Sequence, residues 1–361
     1  MTAQKIMKSF FLRYKKICIG VATLILFVLW WVSLANNDYS NGKEPVWGVT
    51  FSKSQAEYLG LDWKKTYLAT LDDLGVRAVR LSAYWNDIER EQGKYNFADL
   101  DWQIAEASKR NARIILAVGR RLPRWPECHD PSWLKDEGDS RYRNVLIGKK
   151  VYQDEMMEEK LFSFVSKVIE RYKNNSAIMM WQVENEYFLN FFGECPRRKK
   201  ESFAKEIALV RSLDARPILV TDSGELSTWR KPAPFGDYLG TTMYRVVWNK
   251  SIGYWHYTYL LPPAFYRWKA ALVGKPIDPM IGAELQAEPW APKGLLALAP
   301  GEYKKSLDEK QLSANIDFAR RTGIPEHYLW GVEYWYWLKE KQNDAILWNT
   351  ARELFSKVRT Q

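Results

Sequence analysis

Two groups of acidic residues close apolar runs in this chain. Ile178, Met179, Met180 and Trp181 lead into Glu184, Asn185 and Glu186, while Ile281, Gly282 and Ala283 lead into Glu284, with Glu288 four residues further on. Ionised carboxyl groups are costly to take out of water, so acids placed at the ends of otherwise buried strands need a purpose. Carboxylates of this kind can serve as general acid, general base or nucleophile. Metal chemistry is disfavoured: His129, His256 and His327 are the only histidines, and no Cys-x-x-Cys or His-x-His spacing occurs. We expect neither a metal nor a cofactor.

The elements that must position these acids are short apolar runs separated by amphipathic stretches. The patterning predicts strands over Val46–Phe51, Arg77–Ser82, Arg113–Gly119, Ile178–Val183, Pro217–Thr221, Tyr238–Tyr244, Met280–Leu285 and Tyr328–Trp335. Helices are predicted over Lys64–Leu74, Leu100–Arg110, Glu155–Tyr172, Glu201–Leu213 and Asp308–Thr322. Eight strands alternating with helices predict an α/β fold, a single (β/α)8 TIM barrel over residues 44–361, rather than a doubly wound sheet. In such barrels the chemistry sits at the C-terminal ends of the strands. Strand alternation places Ala78, Arg80 and Ser82 on the inward face of the second strand and Gly240, Thr242 and Tyr244 on that of the sixth. It likewise pairs Gly282 with Glu284 in the seventh strand, and Gly331 with Glu333 and Trp335 in the eighth. Arg80, Glu186, Tyr244, Glu284 and Trp335 are thus expected at one mouth.

These residues carry a resemblance. "WQVENEY" (181–187) together with "GAELQAEPW" (282–290) resembles clan A of the glycoside hydrolases, the 4/7 superfamily of TIM barrels that includes family 5. "VRLSAYWNDIEREQGKYNFADLD" (79–101) is similar to the second-strand region of family 42 β-galactosidases, through Arg80, Trp85, Glu89, Gly93, Phe97, Leu100 and Asp101. The resemblance covers residues 44 to about 340. It departs from family 42 in the Glu-Leu-Gln-Ala-Glu-Pro-Trp loop and in lacking that family's additional C-terminal domains.

The resemblance implies a retaining O-glycoside hydrolase acting on an oligo- or polysaccharide. Glu186 would be the acid/base and Glu284 the nucleophile, two carboxyl groups about 5–5.5 Å apart acting by double displacement. Arg80 and Tyr244 would hold Glu284 ionised and aimed, Asn185 would meet the sugar 2-hydroxyl, and Trp335 would form an apolar floor, with Trp290, Trp47 and Trp337 as further aromatic candidates. Glu184 and Glu333 would face the barrel interior as sugar-binding or supporting groups. Glu288 belongs to a loop beyond the strand end because Pro289 follows it, and Glu89 ties the loop after the second strand. The alternatives are an envelope-glycan transglycosylase using the same residues, or a non-catalytic carbohydrate-binding surface protein. Segments 120–150 and 245–275, rich in Trp, Tyr, Arg and Pro, would shape the cleft. Cys128 and Cys195 fall in the loops after the third and fourth strands, neighbours on the barrel rim, and are expected to form a disulfide.

Composition sets the remaining bounds. The 361 residues are 47% hydrophobic and include 18 tryptophans, which suits either a heavily packed core or flat surfaces for sugar rings or nucleobases. Five basic residues (Lys5, Lys8, Arg13, Lys15 and Lys16) precede 19 uncharged residues, Ile17–Ala35, a length close to the ~20 needed to cross a bilayer. We expect a basic cytoplasmic segment (1–16), a transmembrane signal anchor (17–35), a polar linker (36–43) and an extracytoplasmic catalytic domain. The alternative is a signal cleaved after Ser33-Leu34-Ala35. With half of the net charge of +10 in that leader, the remainder is only mildly basic and shows no nucleic-acid motif, so nucleic acid is excluded as a partner.

Overall fold

The computed structural model describes residues 3–136, 155–299 and 301–359. Eight parallel strands close into a barrel: β1 (Val46–Thr50), β2 (Ala78–Ser82), β3 (Arg113–Val118), β4 (Ile178–Val183), β5 (Ile218–Asp222), β6 (Tyr238–Met243), β9 (Met280–Gln286) and β10 (Glu326–Trp330). An antiparallel hairpin, β7 (Val246–Asn249) and β8 (Gly253–His256), is inserted after β6. The strand order around the barrel follows the chain apart from that insertion, and β1 pairs with β10 to close it. This is the TIM barrel that the alternating pattern implied.

The helices lie where their caps and apolar stripes place them. Asp62 accepts from the Lys64 and Lys65 amides at 3.0 and 3.1 Å and starts the helix Trp63–Asp72. Asp308 does the same for Glu309–Arg321 through the Gln311 amide at 2.8 Å. The side chains between strands and helices, among them Val79, Leu81, Leu116, Trp181, Val220 and Leu239, form the large buried layer. Ala78, Ile115, Met180, Leu219, Ile281, Ala283 and Tyr328 form a second cluster inside the barrel, which is a packed plug rather than a pore.

Two strands depart from simple alternation. In β9, Thr241 pairs with Gly282 but Thr242 pairs with Glu284, so Ala283 is an extra residue and the register shifts. Ile281 and Ala283 therefore belong to the inner cluster, and Gly282 and Glu284 do not share a face. An added Cβ at Gly282 would lie 2.1 Å from His327 Nδ1, which explains the glycine there. The last strand ends at Trp330, not Trp335: Gly331, at φ +135°, turns the chain directly into the helix Val332–Lys341. The expected inward face of Gly331, Glu333 and Trp335 is thus one helical turn instead.

The helix Ala3–Asn36 contains the apolar window Tyr14–Trp31, with a mean hydropathy of 1.6 and none of it buried against the barrel. Trp30 stacks on Trp268 at 5.8 Å. Within the polar linker, the Tyr39 amide donates to Arg321 O at 3.0 Å. A disulfide links Cys128 to Cys195 across 67 residues, with Cα atoms 5.3 Å apart, while Cys18 is free. Alkylation of the denatured, unreduced chain should therefore count one thiol, rising to three after reduction; three thiols before reduction would contradict the bond.

Candidate active site

Glu284 stands near the end of β9, just past the register shift that turns it toward the barrel axis. Its Oε1 accepts from Arg80 Nη1 at 3.2 Å and its Oε2 from the Tyr244 hydroxyl at 3.1 Å. Arg80 is fully buried in β2, and each arm of its guanidinium is used. Nε donates to Gln182 Oε1 at 2.7 Å, Nη2 to Asn185 Oδ1 at 2.8 Å, and Nη1 also to Ala283 O at 3.2 Å. Asn185 Oδ1 receives two further bonds, from Gln182 Nε2 at 3.2 Å and Thr221 Oγ1 at 3.1 Å. The Asn185 amide is fixed by its oxygen, and its NH2 makes no hydrogen bond among the described residues.

Glu186 follows with a left-handed backbone, φ +45°, its amide donating to Thr221 Oγ1 at 3.0 Å. Burial, then the negative charges of Glu284 and Glu127, holds its carboxyl well above the usual carboxylate range. The protonated form is favoured beside an acid that Arg80 and Tyr244 address as a carboxylate. Such a pair can supply one nucleophile and one proton donor. Both acids line a cleft of about 370 Å³ together with Glu127, Tyr244, Trp290 and Phe192.

The other predicted residues separate into those at the cleft and those behind it. Trp290 lines the cleft, edge-on to Tyr244 at 5.1 Å. Trp335 does not: it is completely buried and its indole N–H donates to Ala287 O at 2.6 Å, so it is no floor for a sugar. Glu333 is also withdrawn, because it is fully buried, accepts from the Ser52 amide and pairs with Arg124 at 2.8 Å. Both are expected as strand residues; in the helical turn after Gly331 they are instead packed behind the loops that line the cleft. Glu184, at φ +59°, is a staple rather than a sugar ligand, accepting from the Arg120 and Arg121 amides at 3.1 and 2.6 Å and pairing with Arg198. Trp47 stacks on His327 at 5.3 Å near the start of β1, the end opposite the mouth, and Trp337 packs against Tyr334. Glu288 binds Arg124 and the Trp330 indole, and Glu89 accepts from the Trp85 indole at 2.6 Å and the Gly93 amide at 2.8 Å. Of the cleft-shaping segment 120–150, residues 137–150 lie outside the described residues.

Three groups escaped the sequence reading. Glu127, at φ +73° and beside the disulfide, faces the cleft while Arg121 holds its Oε2 at 2.8 Å. Burial is the main reason its carboxyl is raised to about 7; Arg121 opposes the shift and Glu284 adds to it. Glu225 accepts from Thr242 Oγ1 and the Tyr244 amide, both at 2.8 Å, and so fixes the base of the tyrosine that reaches Glu284. Arg124 lies over the Trp330 ring at 4.2 Å. Neither alternation nor an apolar run marks these loop residues; for Glu127, the adjoining Cys128 was the available signal. Among the described residues, no cluster of His, Cys, Asp and Glu has the grouping needed to hold a metal.

Comparison with known proteins adds a family likeness and confirms the fold. A glycoside hydrolase family 42 model, described as beta-galactosidase, matches residues 61–209. Beta-galactosidase BgaA of Clostridium cellulovorans is 26% identical over 181 residues, 48% of this chain and 27% of that enzyme. Beta-galactosidase BglY of Alicyclobacillus acidocaldarius is 33% identical over 31% of this chain and 16% of its own length. The chain thus spans well under a third of the curated relatives it matches. An exo-beta-1,4-mannosidase from Opitutaceae bacterium strain TAV5 superposes with a TM-score of 0.54 at 16% identity, covering 82% of this chain and 54% of that one. The matched region holds Arg80, Asn185 and Glu186 and ends before Glu284, whose place rests on the geometry above: over residues 61–209 this chain is similar to family 42 β-galactosidases, and its barrel is of the kind found in solved glycoside hydrolases.

Proposed function

We propose that this protein is a retaining O-glycoside hydrolase, with Glu284 as nucleophile and Glu186 as acid/base. The observation that carries the reading is the unequal treatment of two acids in one cleft: Glu284 is bound by Arg80 and Tyr244, and Glu186 is kept protonated by burial and by neighbouring negative charge. In the first step Glu284 attacks the anomeric carbon while Glu186 gives its proton to the departing glycosidic oxygen; the C–O bond breaks and a glycosyl ester forms. Esterification removes the negative charge of Glu284, so Glu186 becomes more acidic. It then exists as a carboxylate able to take a proton from water. That water attacks the same carbon, breaks the ester and leaves the configuration retained. The Asn185 NH2, held ready by three bonds to its oxygen, meets the sugar 2-hydroxyl. Since the relatives are named β-galactosidases, an aryl β-galactoside is the first substrate to try, followed by the β-mannoside.

We further infer that Ile17–Ala35 anchors the chain in a membrane with the barrel outside the cytoplasm. The length, hydropathy and exposure of this helix support the reading. The protein should remain in the membrane pellet through alkaline carbonate washing; release of the full-length chain would contradict it.

Two kinetic results follow from the carboxylate assignment. Glu284→Ala should lower aryl-glycoside turnover by roughly three or more orders of magnitude, and added azide should restore part of it as a glycosyl azide of inverted configuration. Undiminished turnover refutes the assignment. Activity requires protonated Glu186, so it should fall as pH rises through the elevated Glu186 pKa. Above neutrality Glu127 is ionised and adds to that elevation. Glu127→Gln removes this negative charge, lowers the Glu186 pKa and should move the alkaline limb of the kcat/KM profile to lower pH; an unmoved limb would contradict the coupling.

A further inference from the structure

Beyond Trp290, on the side of the mouth away from the hairpin, lies a second hollow of about 550 Å³. It and the carboxylate cleft share Trp290 as a wall, and each falls within the ~300–1,000 Å³ typical of ligand sites. Its sides come from three different segments: Tyr58, the last residue of the short helix Lys53–Tyr58 after β1, Trp125 after β3, and Pro289 to Leu295 after β9. The first and third segments are fitted to one another, since an added Cβ at Gly294 would lie 2.6 Å from the Tyr58 hydroxyl.

Two features of this hollow point to a ligand. Trp125 and Tyr58 are 63% and 49% exposed, a large outlay of aromatic surface, although Trp125 meets Phe192 edge-on at 6.1 Å. Flat aromatic faces at the rim of a glycosidase-like cleft suit the C–H faces of pyranose rings. Its floor is polar and built: Arg124, nearly buried, bridges Glu288 and Glu333 and rests on Trp330. Lys293 stands at the edge, and Arg124 is paired from both sides, by Glu288 in the lining and by the buried Glu333 behind it. Such a floor offers hydrogen bonds to hydroxyl groups without a net charge to attract an acidic sugar or phosphate.

We infer that the second hollow is a saccharide subsite continuous with the carboxylate cleft, so that the substrate is a neutral oligosaccharide spanning both sides of Trp290 rather than a single terminal sugar. This inference rests on the glycosidase reading, and the two can fail separately. A substrate reaching both hollows gains contact with Trp125 and Tyr58 that a short one lacks. The energy of that contact is realised in kcat/KM as chain length grows.

The test is a chain-length series on the full protein. β-1,4-manno-oligosaccharides and β-galacto-oligosaccharides of two to six units are compared, or the equivalent series for whichever sugar an aryl-glycoside screen selects. We expect kcat/KM to rise at least fivefold between two and four units. Trp125→Ala and Tyr58→Ala should each flatten that rise, read as the ratio between long and short chains within one variant. A flat profile in the unaltered protein, or a rise that survives in both variants, overturns the subsite. So does Glu284-dependent turnover confined to aryl monoglycosides. Absence of any Glu284-dependent turnover, by contrast, refutes the glycosidase reading itself.

Discussion

A buried guanidinium holds the mouth of this barrel together. Arg80 has no contact with solvent, and an unpaired charge in that position would be prohibitively costly. The barrel meets this demand with groups from three other strands or their ends: Gln182 of β4, Asn185 just beyond it, Thr50 of β1, and Ala283 and Glu284 of β9. One side chain therefore fixes the spacing between the loop that carries Glu186 and the strand that carries Glu284. The stability gained from a buried ion pair is modest or nil, but breaking one by removing a partner costs about 3–5 kcal/mol. Arg80 is better understood as a gauge for the site than as glue for the fold.

The rim around that gauge is built from backbone that L-residues seldom adopt. Arg124, Glu127, Glu184 and Glu186 all have positive φ, and each such residue costs on the order of 1–3 kcal/mol. What opposes the strain is visible nearby. Glu184 is stapled to the Arg120 and Arg121 amides, Arg198 ties Glu184 to Glu206 in the helix behind, and the disulfide joins the two loops that carry these residues. Strain and support meet where the two acids need fixed places.

Much of this could be read from residue order, and the failures have specific causes. The barrel, its strands and five of its helices followed from apolar spacing, because alternation of strand and helix leaves a strong periodic signal. Arg80, Asn185, Glu186, Tyr244 and Glu284, singled out because they lie within or just beyond the barrel strands, are brought together at one cleft. Trp335 and Glu333 were misplaced because the apolar run past Trp330 looks like a continuing strand, and only the φ of Gly331 reveals a helix. Glu284 was found for an imperfect reason: alternation paired it with Gly282, yet it is the extra residue Ala283 that turns it inward. Glu127, Glu225 and Arg124 were invisible, since loop residues owe their direction to tertiary packing that no local period records.

We propose that Glu284 forms a covalent bond with the sugar while Glu186 moves the proton. The most direct measurement is trapping with a 2-deoxy-2-fluoro glycosyl fluoride, followed by peptide mass spectrometry of the inactivated protein. A single adduct is expected, equal in mass to the glycosyl fluoride less HF, located on the peptide containing Glu284 and absent from Glu284→Gln. Labelling of Glu186, Glu127 or Glu288 instead, or turnover with inverted product and no trapped ester, would contradict it.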